Sequence, residues 1–463
     1  MKVMLWKHGI DDGSTGELPH TGLGILARSI KEEGHDVFIA DHHFNLVEDN
    51  VAINLLDEEK PDLLCISMVS QEWLFQGVQD MLNAAHEREI EVWVGGPHTY
   101  GYWDILESDH RISKIVVGEA DGAFATILNS KERVIQLGRA SLFQSPDFTC
   151  VMDHHKMITY PIFTSRGCTH NCSFCVGTRT HGRKWRARPL DDKFWAEIDM
   201  IEEHFPNVDR IAVIDDAFTG NLEHAKTFLK EYIRRSYKYK LTIFNVRADQ
   251  IDKEFLQLLK MVGIESLCIG IESGDPEVFK MVGKGESLET IRNAIRMIQE
   301  AGITPWLNMV IGLPGDTPET HERSLDWVLS IPQPRIVQWL HFAPYRRTWS
   351  FDYFLKQGVI EDGFIPWLQS GRYNDLPENA CFATKEFSLE QKMLAQLKSY
   401  LLTLCPLLIL NEEKVKRICK EQKWEALFEN WKRNAPIDKF VSNTLPTKVK
   451  KGQTSNLEVC APA

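Results

Sequence analysis

Three cysteines within eight residues are the strongest chemical feature of this sequence. Cys168, Cys172 and Cys175 have the spacing C-x3-C-x2-C and follow an apolar run at 158–165 that predicts a strand. Three thiolates on one short loop can hold three irons of a [4Fe–4S] cluster, which leaves the fourth iron open to a substrate or cofactor. The alternative is a structural zinc site with His170 as fourth ligand, although paired cysteines are the usual spacing of zinc sites.

Polar and glycine-containing segments recur after the later predicted strands. They lie at 214–218, 245–247, 270–274 and 308–315. In a barrel of alternating strands and helices, the active site lies at the C-terminal ends of the strands. Each segment also has a structural interpretation. Asp215 and Asp216 fit an Asx turn or helix cap, Arg247 fits a surface ion pair, Asp275-Pro276 fits a helix start, and Gly312–Gly315 fits a turn.

Glycine-containing turns follow two neighbouring strands near the N-terminus, at 95–98 and 118–119. Glycine lets a ligand approach the backbone closely, so these turns predict a crevice at the carboxyl edge of the sheet. The candidate residues at this edge are Ser67, Gly95, Gly96, Pro97, His98, Gly118 and Glu119. A further motif, Leu-Pro-His-Thr-Gly-Leu at 18–23, precedes the first helix.

The elements that position these residues begin with an α/β unit over residues 1–140. Strands are predicted at 2–5, 37–40, 63–67, 92–95 and 115–117, with helices at 22–33, 73–87 and 119–129. Several strands are apolar at consecutive positions, which is typical of parallel strands buried on both faces. The alternation predicts a doubly wound, Rossmann-like domain.

From residue 158 the alternation resumes with a longer period. Strands are predicted at 158–165, 210–215, 241–246, 266–271, 304–311 and 336–342, with helices at 190–204, 221–235, 252–262, 276–300 and 318–330. These units predict a partial (β/α)6 barrel. We predict domains at 1–140 and 156–350, a linker at 141–155 and a helical region at 351–440. The tail at 441–463 lacks periodicity, and we expect it to be disordered.

The chain of 463 residues is acidic, with a net charge of −12 from 65 acidic and 53 basic residues. An acidic surface disfavours binding to nucleic acid. We interpret the basic run at 179–188 as a solvated turn that leads into the next helix and is partly neutralised by the acidic residues of that helix, rather than as an RNA contact. We expect no signal peptide, because the N-terminus turns polar after six residues, and the sequence has no apolar stretch long enough for a membrane span. Its cysteines do not indicate a disulfide scaffold, so we expect a cytoplasmic protein without stable membrane insertion.

The cysteine loop and the strand ends together resemble the radical S-adenosylmethionine (SAM) superfamily. In that family a C-x3-C-x-aromatic-C loop follows the first strand of a partial (β/α)6 barrel, and Phe174 occupies the aromatic position here. The resemblance implies that the three cysteines bind a [4Fe–4S] cluster whose open iron binds SAM. It also implies a SAM site formed by Phe174, Asp215, Asp216, Arg247, Glu272, Ser273, Gly312 and Pro314.

The N-terminal motifs, added to the barrel, resemble the cobalamin-binding domain that precedes many radical SAM enzymes. This resemblance implies that the seven candidate residues at the sheet edge contact cobalamin. The Asp-x-His-x-x-Gly motif that supplies a cobalt-ligating histidine in other B12 proteins is absent, and Asp41-His42-His43 lies at the wrong place and spacing. We therefore expect cobalamin to bind without histidine on cobalt, and His98 to be a pocket wall or core residue.

The resemblance implies a class B, cobalamin-dependent C-methyltransferase that acts on an unactivated carbon through a 5′-deoxyadenosyl radical and methylcobalamin. The alternative keeps both cofactors but performs a rearrangement, cyclisation or oxidation without methyl transfer. An RNA methylthiotransferase fits less well, because the N-terminal domain has only Cys65 where such relatives carry three further cysteines.

No side chain is assigned as a conventional acid or base. We expect a flavodoxin or ferredoxin as the reducing partner, and a small-molecule or peptide substrate. Aromatic residues cluster in the segment 349–373, where they either pack a helical subdomain or line the substrate site. They are Trp349, Phe351, Tyr353, Phe354, Phe364, Trp367 and Tyr373.

Overall fold

The N-terminal unit is a six-stranded parallel sheet. The computed structural model describes residues 1–8, 18–45, 49–69, 72–141, 143–180, 182–364 and 380–436. The strands of the sheet are β1 (Lys2–Lys7), β2 (Asp36–Asp41), β3 (Leu63–Ser67), β4 (Glu91–Gly95), β5 (Lys114–Val117) and β6 (Val134–Gln136). They pair in the order β2-β1-β3-β4-β5-β6. The direction of winding therefore reverses between β1 and β3, where doubly wound sheets bind ligands.

Six helices cover the two faces of this sheet. They are α1 (Thr21–Glu32), α2 (His42–Asn45), α3 (Asp49–Glu59), α4 (Gln76–Glu87), α5 (Pro97–Leu106) and α6 (Phe124–Asn129). Successive residues of β1 enter different cores because strand side chains alternate in direction. Val3 and Leu5 join the core that contains α1, whereas Met4 and Trp6 join the core that contains α3 and α4.

The second unit is built on two three-stranded parallel sheets and a small ribbon. Its strands are β7 (Thr159–Ile162), β8 (Ser165–Arg166), β9 (Arg186–Ala187), β10 (Arg210–Val213), β11 (Lys240–Ile243), β12 (Ser266–Glu272), β13 (Thr304–Ile311) and β14 (Ile336–His341). The sheets have the orders β11-β10-β7 and β12-β13-β14, and an isolated parallel bridge joins Val246 to Ile269. The six parallel strands thus form the predicted partial barrel, while β8 and β9 form an antiparallel ribbon.

Twelve labelled helices accompany these strands over the described residues. They are α7 (Gly177–Thr180), α8 (Asp192–Asp199), α9 (Ile201–His204), α10 (Leu222–Arg235), α11 (Lys253–Met261), α12 (Pro276–Val282), α13 (Leu288–Glu300), α14 (Pro318–Leu329), α15 (Trp349–Lys356), α16 (Leu389–Leu402), α17 (Glu412–Glu421) and α18 (Glu425–Asn434). No helix in the described ranges is long and apolar enough to span a bilayer.

The fold class agrees with the prediction, and the differences have local causes. The single helix expected at 276–300 is two helices, because Gly283 (φ +66°) and Gly285 (φ +76°) adopt left-handed conformations between them. Sequence patterns missed α3, α5 and the short strand β6. The predicted helix at 119–129 begins only at Phe124. The tail at 441–463 lies outside the described residues.

The C-terminal helical region completes the barrel. Leu397 and Tyr400 of α16 belong to the barrel core, and the Tyr400 hydroxyl donates to the carbonyl of Trp339 in β14 at 2.9 Å. The α16 helix thus occupies the place of the helix that should follow the sixth strand. The segment between β14 and α16 is an insertion that carries α15.

Candidate active site

Backbone hydrogen bonds hold the cysteine loop against the barrel. The N–H of Gly167 donates to Asp216 at 2.7 Å. The N–H of Ser173 donates to the carbonyl of Val282 at 2.8 Å, and the carbonyl of Ser173 accepts from the N–H of Ser350 at 3.0 Å. The loop is therefore fixed by the end of β10, the end of α12 and the start of α15.

Burial and nearby positive charge act in opposite directions on the cysteine thiols. Burial raises the pKa of Cys168, and it raises the pKa of Cys172 to about 12. Arg247 and Lys284 lie near enough to lower the pKa of both thiols. Because the thiolate is the form that binds a metal, these cations favour cluster binding.

The donor set fits an iron–sulfur cluster better than a zinc ion. None of the three cysteines takes part in a disulfide. Within the described ranges, no three Cys, His, Asp or Glu side chains converge on one point, as a single-ion site requires. A [4Fe–4S] cluster does not require this, because each thiolate binds a different iron. The structure therefore gives no support to the zinc alternative with His170.

The two aspartates after β10 have different surroundings. Asp215 is 1% exposed, and its carboxylate accepts from the N–H and Oγ1 of Thr164 at 2.6 Å and from the Oγ of Ser165 at 2.5 Å. Burial raises the pKa of Asp215 to about 6, although these donors lower it. Asp215 thus connects strand ends, and its predicted contact with SAM does not fit this burial. Asp216 is exposed and lines a cavity described below.

A buried ion pair lies at the end of β12. Glu272 has a positive φ of 71°, and its Oε1 lies 3.0 Å from Lys284 Nζ. Lys284 also donates to the carbonyl of Gly270. Burial by itself lowers the pKa of Lys284, but Glu272 and Glu286 raise it, so the net shift is upward. Lys284 is therefore held as a cation beside the cysteine loop.

Arg247 joins the same charged network from β11. Its Nη2 lies 3.0 Å from Asp249 Oδ2, 3.5 Å from Glu286 Oε1 and 3.1 Å from the carbonyl of Lys284. Sequence analysis identified Arg247 but not Lys284 or Glu286. Their signal was the Gly-Lys-Gly-Glu stretch inside an otherwise helical pattern, which we read as continuous helix.

Two of the remaining predicted SAM residues lie in a turn, and the other two make packing contacts. Ser273 is buried, and its Oγ lies 3.0 Å from the Oγ of Ser324 in α14. Gly312 has a φ of +88° and donates its N–H to Asp316 at 2.7 Å, which forms a turn that includes the buried Pro314. Phe174 packs against the apolar cluster around α12 and α15.

A cavity of about 450 Å³ lies between the carboxyl edge of the N-terminal sheet and the top of the barrel. The sheet contributes most of the predicted edge residues. They are Ser67, Gly95, Gly96, Pro97, Gly118 and Glu119. The barrel contributes Phe163, Ser165, Arg166, Ile214 and Asp216, and α7 contributes Thr180. Both domains therefore line one space.

The glycines at this edge have distinct roles. An added Cβ at Gly95 would lie 3.9 Å from the nearest atoms, so this glycine leaves space in the cavity. Gly96 (φ +94°) and Gly118 (φ +117°) are required by the backbone, because a Cβ there would overlap the carbonyl of Met68 or Leu137. The two turns are thus fixed in shape at the cavity wall.

Two histidines near the cavity are engaged within the protein. The Nδ1 of His20 accepts from the N–H of Leu23 at 3.2 Å, so its Nε2 carries the proton and lies 3.3 Å from the Oγ of Ser67. Neither nitrogen of His20 thus presents a free lone pair. His98 is 3% exposed, does not line the cavity, and stacks on Tyr102 with a centroid distance of 4.6 Å. His98 is therefore a core residue, one of the two roles expected of it.

Partly buried ion pairs join the two domains beside the cavity. Arg166, which precedes the cysteine loop, makes two 2.8 Å hydrogen bonds to Asp121. Arg186 of β9 pairs with Glu119, at 2.9 Å for its Nη1. Glu119 was a predicted cobalamin contact, but its carboxylate is bound to Arg186. Neither arginine was singled out as a site residue, because its partner lies far away in sequence.

Comparison with known proteins agrees with this architecture. A B12 binding domain model matches residues 9–128, and a radical SAM superfamily model matches residues 162–328. The chain belongs to the B12-binding radical SAM enzymes. This family assignment accounts for both walls of the cavity, since each matched domain supplies one.

Relatives of this radical SAM enzyme carry more than one activity. An uncharacterized methyltransferase of Pyrococcus horikoshii is 24% identical over 75% of this chain and 80% of its own length. The anaerobic magnesium-protoporphyrin IX monomethyl ester cyclase of a Synechocystis species is 25% identical over 76% of each chain. The cobalamin-dependent SAM radical enzyme OxsB, solved with aqua-cobalamin bound, shares the fold with a TM-score of 0.66 and 17% identity over 98% of this chain and 74% of its own.

The radical SAM enzyme uses a [4Fe–4S] cluster, SAM and cobalamin, as the sequence predicted. The donor chemistry of the cysteine loop fits the cluster, and the glycine-edged cavity fits a ligand bound close to the sheet backbone. The cysteine loop therefore fits the cluster, and the edge of the N-terminal sheet, at a separate place along the chain, fits cobalamin.

The aromatic residues of the radical SAM enzyme's insertion are mainly packing residues. Phe351 and Phe354 are each 1% exposed in the apolar cluster that also contains Phe342 and Phe382. Trp349 is 44% exposed and stacks on Tyr353. Trp367 and Tyr373 lie outside the described residues. The first of the two interpretations, a packed subdomain, therefore holds for the buried members.

Proposed function

We propose that this cobalamin-dependent radical SAM enzyme is a class B C-methyltransferase that methylates an unactivated carbon of a small-molecule substrate. The observation that carries the proposal is the cavity shared by the two domains. A methyl group carried by cobalamin and a radical formed from SAM must reach the same carbon atom. A single cavity lined by Gly95 of the N-terminal sheet and by Asp216 of the barrel meets that requirement.

The bound groups supply the redox and methyl-carrier chemistry, namely reductive cleavage of SAM at the cluster and methyl carriage on cobalt. The protein's own residues bind and orient. We assign the cluster to the three cysteines, and we assign to Arg247 and Lys284 the positive charge that favours their thiolate form. Gly95 leaves room at the sheet edge, and the Gly312 turn shapes the end of β13.

The apolar part of the cavity wall excludes water. Leu23, Ile25, Trp93, Val94 and Phe163 line it. A carbon radical abstracts hydrogen from whatever is near, so a dry wall with few exchangeable groups limits side reactions. A small-molecule substrate accords with a cavity of about 450 Å³.

The experiment is an anaerobic turnover with SAM carrying a trideuteromethyl group, hydroxocobalamin and a low-potential reductant. Methyl transfer predicts one S-adenosylhomocysteine and one 5′-deoxyadenosine for each product molecule, and a product with the labelled methyl mass. Two SAM molecules are needed because methyl donation and reductive cleavage break different sulfonium bonds.

The cyclase relative supports one alternative, in which the same cofactors rearrange, cyclise or oxidise the substrate. It predicts 5′-deoxyadenosine and an altered substrate, but neither S-adenosylhomocysteine nor added methyl mass. That result would replace methyl transfer with cofactor-assisted rearrangement or oxidation.

A further inference from the structure

The basic run after the cysteine loop divides into two halves with different surroundings. Arg186 pairs with Glu119 in the N-terminal domain, and the buried Arg188 pairs with Glu197 of α8 at 2.5 Å. These arginines are used in packing and ion pairing. The pairing of Arg188 with Glu197 agrees with the expected neutralisation of the run by the following helix, but Arg186 and Arg188 are not part of a solvated turn.

The other half, Arg179, Arg183 and Lys184, forms what we call the cationic patch. Arg183 and Lys184 are exposed, and Arg179 is half-buried. Among the described residues, no carboxylate lies within ion-pair distance of these three side chains, whereas most other arginines near the loop are paired. Exposed Arg139 lies beside them, since its Nη1 is 3.5 Å from the carbonyl of Gly182. The patch is therefore a concentration of unpaired positive charge on a chain of net charge −12.

The cationic patch lies next to the cysteine loop. It starts in α7, where an added Cβ on Gly177 would lie 3.6 Å from Cys175 Sγ. A partner seated on the patch would therefore approach the cluster loop from outside.

We propose that the cationic patch is the docking surface for an acidic, flavodoxin-type electron-transfer protein. The inference rests on the proposed function, because it presumes a cluster on the cysteine loop. Transfer moves one electron from the donor's reduced flavin to the oxidised cluster, and no bond or proton changes in this chain. Charge complementarity favours an acidic partner, since unpaired cations attract an acidic protein. The position of the patch next to the cysteine loop favours an electron donor, since the rate of electron tunnelling falls steeply with distance.

Nucleic acid is the other anionic partner that such a patch could attract. The patch has three cations and lies within an acidic chain, whereas phosphate backbones are usually bound by longer basic stripes that also stack bases. The nearby indole, Trp185, is fixed within the protein, because its Nε1 donates to the carbonyl of Ala217 at 3.1 Å and its ring meets His224 edge to face. We therefore argue for the protein donor and treat nucleic acid as an outcome of the test.

The test compares two double charge reversals in the reconstituted holoenzyme. Arg183→Glu with Lys184→Glu alters the patch, and Lys416→Glu with Arg417→Glu makes the same change on exposed residues of α17. Binding to a purified flavodoxin is measured by calorimetry, and cluster reduction by the reduced flavodoxin is measured by stopped-flow absorption. Dithionite serves as a small reductant that needs no docking surface.

The proposal predicts that the patch variant binds flavodoxin about tenfold or more weakly than wild type at about 20 mM salt. The difference should fall below about twofold near 500 mM salt, because screening shortens the range of surface charges. Its reduction by flavodoxin should slow in parallel, its reduction by dithionite should be unchanged, and the α17 variant should behave as wild type.

Equal losses in the two variants would overturn the proposal, because they would reflect net charge alone. Unchanged flavodoxin binding in the patch variant, or a single-stranded RNA oligonucleotide that binds the patch more tightly than flavodoxin, would also overturn it. A wild-type protein that dithionite cannot reduce would instead show that the cluster assignment itself has failed. The two kinds of failure are therefore distinguishable.

Discussion

At the scale of single residues, the cysteine loop shows how local sequence and distant charge act together. The spacing of Cys168, Cys172 and Cys175 provides three donors within one loop. Burial raises the pKa of Cys168 and Cys172, and Arg247 and Lys284, which lie far along the chain from the loop, act against that effect. The loop thus depends on the barrel for its charge state as well as its shape.

Replacing all three cysteines with alanine should remove the cluster. Wild-type protein reconstituted anaerobically should contain about four irons and four sulfides per chain, with a charge-transfer absorption band. The triple variant should contain almost none, whereas Cys150→Ala, outside the loop, should match wild type. Iron and sulfide analysis makes the measurement, and full iron retention by the triple variant would contradict the assignment.

Substitutions of the glycines at the sheet edge should have two different effects, one on cobalamin binding and one on stability. Gly95→Trp should fill the cavity and weaken cobalamin binding by tenfold or more, whereas Gly95→Ala should be nearly neutral, because a Cβ there has 3.9 Å of clearance. Gly118→Ala should instead lower stability by about 1–3 kcal/mol or more, through the strained φ and through the overlap of the new Cβ with the carbonyl of Leu137. Cobalamin content after gel filtration and the thermal midpoint separate the two effects. Loss of stability in Gly95→Ala would contradict this account.

At the scale of elements, α16 is the helix that closes the barrel, although it follows β14 only after a long insertion. It packs against β14 and α14 through Tyr400, Gln396 and Ser399. The insertion reaches the N-terminal domain, where Arg346 contacts Asp104 at 2.5 Å. The insertion therefore also contacts the N-terminal domain.

The contact of α14 with α16 predicts a local pH dependence. His321 is 2% exposed and lies 2.8 Å from the Oγ of Ser399, and burial lowers the pKa of His321 to about 4. Because the unfolded state binds the proton more readily between pH 6.5 and 4, stability is lost as the pH falls through that window. Going from pH 7 to pH 5 should cost about 2 kcal/mol.

Hydrogen exchange of α14 and α16, corrected for intrinsic rates, measures this local free energy. His321→Gln can keep a hydrogen bond to Ser399 but does not titrate, so its protection should change much less between pH 7 and pH 5. His110→Gln, at an exposed histidine, should retain the wild-type dependence. An identical pH response in His321→Gln and wild type would exclude His321 as the cause.

At the scale of the whole molecule, partly buried ion pairs set the two domains around the shared cavity. Arg166 and Asp121 have side-chain exposures of 12% and 5%, and Arg166 also packs over the ring of Phe163 at 4.4 Å. Removing one partner leaves the other charge poorly solvated, which makes the pair important for domain placement. Glu119, at 3.8 Å from Arg166, provides partial compensation.

A double-mutant cycle on this pair should reveal the coupling between domains. Asp121→Ala and Arg166→Ala should each destabilise the protein by about 2–3 kcal/mol, and the double variant by less than their sum, with a coupling of about 1–2 kcal/mol. Both single variants should retain less cobalamin, whereas iron content should stay near wild type. Chemical denaturation and cobalamin absorbance provide the measurements. Strict additivity would show that the pair does not couple the domains.

Much of the architecture could be predicted from the sequence, because it depends on local patterns. Apolar runs and amphipathic periods predicted five of the six strands of the first sheet and all six strands of the barrel. The cysteine spacing and the glycine turns, which are also local, located the cluster loop and the cavity wall. Family models match the two predicted domain types, a B12 binding domain at residues 9–128 and a radical SAM domain at residues 162–328.

Only the tertiary structure decided which polar residues face the cavity and which hold the fold. Asp215 and Glu119 were both predicted as ligand contacts. The carboxylate of Asp215 is buried and accepts from Thr164 and Ser165, whereas Glu119 lines the cavity with its carboxylate paired to Arg186. Arg166 was not singled out, because its partner Asp121 lies 45 residues away. Hydrogen bonds and ion pairs of this kind depend on distances between remote segments, whereas strand and helix periods depend on neighbours along the chain.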